Sequence, residues 1–114
     1  MIVLQPDLLV VPVGRVRASL AAADRDSVLL AVEIVSPSSA RYDRVTKRLR
    51  YQRNRIADYW IVDDASETFE CWRPDDDRPE LIADSLTWHP SGASEPLAVD
   101  VPAFFAEIRA AMED

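Results

Sequence analysis

Two carboxylates carry the chemistry that this sequence offers. Glu33 lies inside the apolar run Leu29-Leu-Ala-Val-Glu-Ile-Val35, and Asp7 follows Pro6 at the head of a second apolar run, Asp7-Leu-Leu-Val-Val-Pro-Val13. An ionised carboxylate on an apolar strand face is costly unless something meets its charge. Three solutions exist: a raised pKa, an Arg or Lys partner, or a metal ion. Asp7 alone reads as a turn residue beside Pro6. Taken together, two acids on neighbouring strands can share one divalent cation. Mg²⁺ favours such a site, with one or two carboxylates, waters and a substrate phosphate. An ion held there lowers the pKa of bound water and offsets charge on a phosphoryl group.

The second chemical feature is basic. Seven of the 13 Lys and Arg residues fall between Arg41 and Arg55, although the net charge is −7 and Asp75-Asp76-Asp77 forms an acidic run. The acidic total argues against non-specific nucleic-acid binding by the whole surface. A local basic patch still suits a phosphate backbone, and the plain alternative is a solvated helix face balanced by an acidic loop. His89 stands before Pro90 in a loop-like stretch and reads as a surface residue. Cys71, Trp60 and Trp72 read as packing residues. Zinc-ligand spacing is missing, and with Gly14 and Gly92 the only glycines there is no glycine-rich phosphate loop.

The elements that must position these groups follow from periodicity. Asp7 to Val13 reads as a strand, and Gly14 to Ser27 as a loop or turn. Leu29 to Val35 is a central strand, with Leu30, Val32 and Ile34 on one face and Leu29, Ala31, Glu33 and Val35 on the other. Ser36-Pro37-Ser38-Ser39 is a turn, and Ser38 or Ser39 can cap the helix that follows. In that helix Tyr42, Val45, Leu49 and Ile56 form an apolar stripe expected to pack on the sheet. Tyr59 to Asp63 and Thr68 to Arg73 should form a hairpin across a turn at Asp63-Asp64-Ala65-Ser66. Glu80 to Ala83 adds a short strand. Pro102 opens a C-terminal docking helix whose apolar face is Phe104, Phe105, Ile108, Ala111 and Met112. Strand–helix–strand over Leu29 to Asp63 is a crossover, so those strands are expected to be parallel. The fold class is α/β with a mixed sheet.

At 114 residues, with 48% of them apolar, the chain is expected to form one domain spanning 1–114. No apolar run approaches the roughly 20 residues of a membrane span, and the N-terminus does not read as a signal peptide. A single cysteine excludes an internal disulfide and fits a reducing cytoplasm.

One ordered set of motifs resembles a known family. It comprises Pro6-Asp7, then Val32-Glu33-Ile34-Val35-Ser36-Pro37-Ser38, then Asp43, Lys47 and Tyr51 at four-residue steps, then Asp58-Tyr59-Trp60-Ile61-Val62-Asp63. The set is similar to the Uma-two family, described as putative restriction endonucleases, within the PD-(D/E)xK nuclease superfamily. The resemblance runs from Pro6 through Trp72 and more loosely over Leu97 to Phe105. It implies a restriction-endonuclease-like core with a crossover helix and a C-terminal helix, and a metal-dependent endonuclease acting on DNA phosphodiester bonds. Asp7 and Glu33 match the family's acidic ligands for Mg²⁺ or Mn²⁺, and the Ile34 carbonyl is an implied further ligand. The superfamily lysine two residues after the acid is replaced by Val35. Lys47 is the implied substitute, orienting water and offsetting negative charge. Asp43 and Tyr51 would support it, and Arg41, Arg44 and Arg48 are candidates for phosphate contact.

Two expectations complicate this reading. On a helical wheel, Asp43, Lys47 and Tyr51 share a face nearly opposite the Tyr42–Val45–Leu49 stripe. With that stripe on the sheet, Lys47 would point away from Glu33, and an Asp43–Lys47 surface pair is the alternative. The family also carries a segment before the Pro-Asp motif, whereas Met1 stands five residues before Pro6. The chain therefore reads either as an N-terminally shortened member or as one whose start is truncated, with apolar surface that a second copy would cover as a homodimer. The rival reading is a catalytically inactive remnant that serves as a binding or interaction module.

Overall fold

The computed structural model describes residues 7–11, 28–35 and 41–112, with the backbone alone for 41–44. The loop expected at Gly14 to Ser27, the turn and cap at Ser36 to Ser39, and the far end of the first strand lie outside the described residues.

Strand β1 (Leu8–Val10) pairs antiparallel with β2 (Leu30–Val35). Helix α1 (Arg41–Arg53) crosses over, and β3 (Tyr59–Asp63) returns parallel to β2. Strands β4 (Thr68–Trp72) and β5 (Glu80–Ile82) complete a five-stranded sheet in the order β1-β2-β3-β4-β5. The turn after β3 is held as expected, with the Asp63 carboxylate accepting the N–H groups of Ala65 and Ser66. Strands β6 (Ser85–Trp88) and β7 (Leu97–Asp100) form a separate antiparallel pair, and α2 (Val101–Met112) ends the described chain.

Strand alternation sorts the side chains into two cores, one on each face of the sheet. Leu30, Val32, Trp60, Val62, Phe69 and Cys71 point toward β6 and α2, where Leu86, Val101 and Phe105 close the layer. Ala31, Tyr59, Ile61 and Trp72 point the other way, toward Tyr51 and Ile56. From Leu30 to Glu33 β2 is covered on both faces, so its apolar residues run on instead of alternating with polar ones; Ile34, beyond the cover, is exposed.

The hairpin β6–β7 was not foreseen from the sequence. Its strands are four residues each, separated by a stretch with Pro90, Gly92 and Pro96, and only Leu86 is fully buried along them. A pattern so short and so half-apolar resembles a loop.

Helix α2 begins where expected. Pro102 takes the first turn, and the Asp100 carboxylate accepts the N–H of Ala103 at 3.0 Å. Loss of this cap by Asp100→Ala should cost about 1 kcal/mol. The expected readout is a lower urea midpoint at unchanged slope, and an unchanged midpoint would show that the cap contributes nothing.

The largest correction concerns the face of α1. Val45 and Leu49 are 43% and 37% exposed, whereas Tyr51 is 2% exposed. Val45 and Leu49 of the expected stripe do not pack on the sheet, and the cause lies at the helix end. Arg55 takes a left-handed conformation (φ 59°), with its N–H bonded to the Gln52 carbonyl and the Ile56 N–H bonded to the Tyr51 carbonyl. This is a Schellman ending, which brings the residue after the turn against the last helical turn. Ile56 therefore packs with Tyr51 in one core without belonging to the helical stripe. Tyr51 stacks on Tyr59 of β3 at 4.3 Å between ring centroids. Arg48, one turn earlier, lays its guanidinium over the Trp72 ring at 4.4 Å. These aromatic contacts turn the Lys47–Tyr51 face toward the sheet.

Candidate active site

Glu33 shares a sheet face with Ala31 because strand side chains alternate. That face is the one α1 covers, and Glu33 is 5% exposed there. Its Oε2 lies 3.4 Å from Lys47 Nζ, and its Oε1 accepts the Tyr51 hydroxyl at 3.2 Å. Lys47 and Tyr51 are one helical turn apart, so a single helix face supplies both partners.

Asp7 enters from β1. The register pairs Leu8 with Val32, and continuing it by one residue sets Asp7 opposite Glu33. Directly opposed residues of an antiparallel pair share a face. The Asp7 carboxylate also accepts the backbone N–H of Ile34 at 2.7 Å, which ties it to β2 beside the buried acid.

The electrostatics follow from this crowding. Burial pushes the Glu33 carboxyl above the usual glutamate value of 4.5, and the Asp7 charge adds to that push. The Lys47 ammonium and the Tyr51 hydroxyl pull it back. Burial, then the Glu33 charge, also drive the Tyr51 phenol upward, so Tyr51 stays protonated and donates. Because the folded-state pKa of Glu33 is raised, its contribution to stability is full below the unfolded value and is lost as pH rises through the folded one. Lys47→Met should raise the Glu33 pKa further. Titration of the Glu33 carboxyl carbon by NMR reads this directly, and an unmoved pKa would mean that the ion pair does not form.

The structure thus brings Asp7, Glu33, Lys47 and Tyr51 to one place. It puts the N–H of Ile34 on Asp7. The expected divergence of Lys47 from Glu33 is corrected by the orientation of α1. Arg48 is engaged by Trp72 and by Gln52 Oε1 at 3.4 Å. The side chains of Arg41, Asp43 and Arg44 lie outside the described residues. His89 is exposed and bonds the Ala93 carbonyl, and Cys71 is buried in the sheet. Among the described residues no group of three or more His, Cys, Asp or Glu side chains is placed to hold a metal, so a site here rests on two carboxylates.

Sequence reasoning missed Gln52. Its amide donates to the carbonyls of Arg73 at 3.0 Å and Asp76 at 2.8 Å, latching α1 to the connection after β4. The latch holds the helix that carries Lys47 and Tyr51. A glutamine on a basic helix gives no local signal of such a role.

Comparison with known proteins agrees with this architecture. The sequence profile of the Uma2 family, described as "Putative restriction endonuclease", matches residues 2–109. The chain belongs to the Uma2 family. A solved structure from Anabaena variabilis, described as a "putative nuclease belonging to DUF820", superposes on this Uma2 chain with a TM-score of 0.57 at 25% identity. The match covers 68% of this chain and 43% of the Anabaena protein, so this chain spans under half of that relative. A search of curated proteins gives no significant match. Among the described residues, no helix of this Uma2 chain is long and apolar enough to cross a membrane.

Proposed function

We propose that the chain is a divalent-metal-dependent endonuclease that hydrolyses phosphodiester bonds in DNA. One observation carries the reading: a buried glutamate, Glu33, meets a lysine from the crossover helix while a second carboxylate, Asp7, stands opposite it. Membership of a family described as restriction endonuclease supports it, as does likeness to a protein described as a nuclease.

The donor set suits a hard cation. Asp7 and Glu33 present carboxylate oxygens; burial raises the Glu33 carboxyl, the Asp7 charge adds to that push, and a nearby positive charge would relieve it. Asp7 and Glu33, with the Ile34 carbonyl, would hold Mg²⁺ or Mn²⁺. Such an ion, when bound, lowers the pKa of water and neutralises charge on the phosphoryl oxygens. Lys47 stands at the same carboxylate, where its ammonium orients a water and offsets charge developing on the phosphate. Tyr51 holds Glu33 in place through its hydroxyl. Arg41, Arg44 and Arg48 of α1 are the proposed contacts to the DNA backbone.

The test is direct. Purified protein with plasmid DNA and Mn²⁺ should nick or cut it, and a chelator should abolish the activity. Equal cleavage with and without chelator would overturn metal dependence. A second reading, a binding module without catalysis, draws on the way both Glu33 oxygens are already engaged within the chain. Calorimetry that finds no Mn²⁺ binding, with no cleavage, would select it.

A further inference from the structure

Helix α1 sits astride three neighbouring strands. Tyr51 stacks on Tyr59 of β3, the middle one. To one side, Lys47 meets Glu33 of β2. To the other, Arg48 lies over Trp72 of β4, and Gln52 reaches the residues just beyond that strand. Lys47 and Gln52 are about 140° apart around the helix axis, so they hang on opposite flanks with Tyr51 between them. A helix held on one flank can roll about its central contact, and a hold on both flanks fixes the roll.

Gln52 is suited to be the second hold. Its Oε1 accepts from Arg48 Nη1 at 3.4 Å. Its Nε2 donates to the Arg73 carbonyl at 3.0 Å and to the Asp76 carbonyl at 2.8 Å. A glutamine amide combines an acceptor with two donors on one planar group, and here all three are used. The receiving turn is braced from within. The Asp76 carboxylate accepts the Arg73 N–H at 2.9 Å, and the Asp76 N–H returns to the Arg73 carbonyl at 3.1 Å. Past the helix end, Arg55 adds a forked pair with Asp75 at 2.8 and 3.3 Å. That pair is exposed and contributes little by itself, which leaves Gln52 as the principal tie.

The ion pair on the other flank has little slack. At 3.4 Å, Lys47 Nζ is already far from Glu33 Oε2 for a charged hydrogen bond. At the roughly 5–6 Å side-chain radius of a helix, a roll of about 10° moves a side-chain tip by about 1 Å. A displacement of that size can cost about 100-fold in rate.

We propose that Gln52 is a positioning residue for the candidate active site: it sets the roll of α1 and thereby the place of the Lys47 ammonium on Glu33. Its own bonds go to Arg48 and to the turn, so it acts through the helix. The effect on rate rests on the nuclease reading, whereas the effect on the ion pair rests on the fold alone.

Gln52→Met keeps the side-chain length, adds no charge and removes all three hydrogen bonds. Single-turnover cleavage at saturating DNA should fall about tenfold or more. The nuclear Overhauser contact between the Lys47 Hε and Glu33 Hγ protons should weaken. The rate loss should vanish in a Lys47→Met background, since no ammonium is left to position. Asp76→Ala loosens the same latch from the turn and should repeat both effects, which keeps the test open if Gln52→Met fails to fold. Asp100→Ala destabilises the chain through α2 and should leave the Overhauser contact and the rate unchanged. An unchanged Overhauser contact in the folded latch variants would overturn the proposal, as would a rate loss that persists in full without Lys47. A wild-type chain that cleaves nothing would overturn the nuclease reading alone, because the Overhauser contact still decides the role of Gln52.

Discussion

Glu33→Gln is expected to abolish Mn²⁺-dependent DNA cleavage while leaving the protein folded. The two halves of this result have separate causes. Glutamine keeps the volume of the side chain and can still accept the Tyr51 hydroxyl through its amide oxygen. It removes a charge that burial already disfavours, as the raised Glu33 carboxyl indicates. The stability change should therefore stay within about 1 kcal/mol. Activity depends on the lost charge. A neutral amide is a poor ligand for a hard divalent ion, and Lys47 loses the carboxylate that stations its ammonium. The loss should be about 100-fold or more. Single-turnover cleavage of plasmid DNA, beside a urea melt of the same preparation, measures both. Equal residual cleavage in wild type and variant would mean a contaminating nuclease and would remove the functional claim.

Tyr51→Ala is the largest stability effect expected. Tyr51 is buried, stacked on Tyr59, packed with Ile56 and bonded to Glu33. Truncating a buried aromatic side chain costs about 3–5 kcal/mol. Domains of this size are stable by only about 5–15 kcal/mol, so the variant should be marginal or unfolded. Tyr51→Phe separates the hydroxyl from the ring. It should cost about 1 kcal/mol and raise the Glu33 carboxyl further, because one hydrogen bond to the carboxylate is lost. Urea unfolding at constant slope reads both variants. If Tyr51→Ala were as stable as Tyr51→Phe, the aromatic stack would not be what orients α1.

The elements that local pattern could place were those with strong periodicity. Tyr59 to Asp63 is dense in β-branched and aromatic residues, and its strand limits agree with the reading from sequence. Val101 to Met112 announces itself by Pro102 and the phenylalanine pair. Weakly patterned pieces were lost. Strands β6 and β7 bury one face over four residues each, and their partner is another short strand nine residues away, across a polar turn. Only the core they cover makes them strands.

Glu33 and Lys47 divide along the same line. The period of two in a strand determined from sequence that Glu33 shares a face with Ala31, and that an acid on such a face needs a partner. The register of β1 then put Asp7 opposite it, as neighbouring strands allow. The partner on the helix was beyond sequence. Read locally, the stripe of Val45 and Leu49 should have faced the sheet and carried Lys47 away. The tertiary structure decided otherwise, because helix rotation is set by the contacts of greatest area and best fit. Here those are Tyr51 on Tyr59, Arg48 on Trp72, and Ile56 folded back at the Schellman turn. Such contacts join residues that no local period relates, and they leave Lys47 beside Glu33.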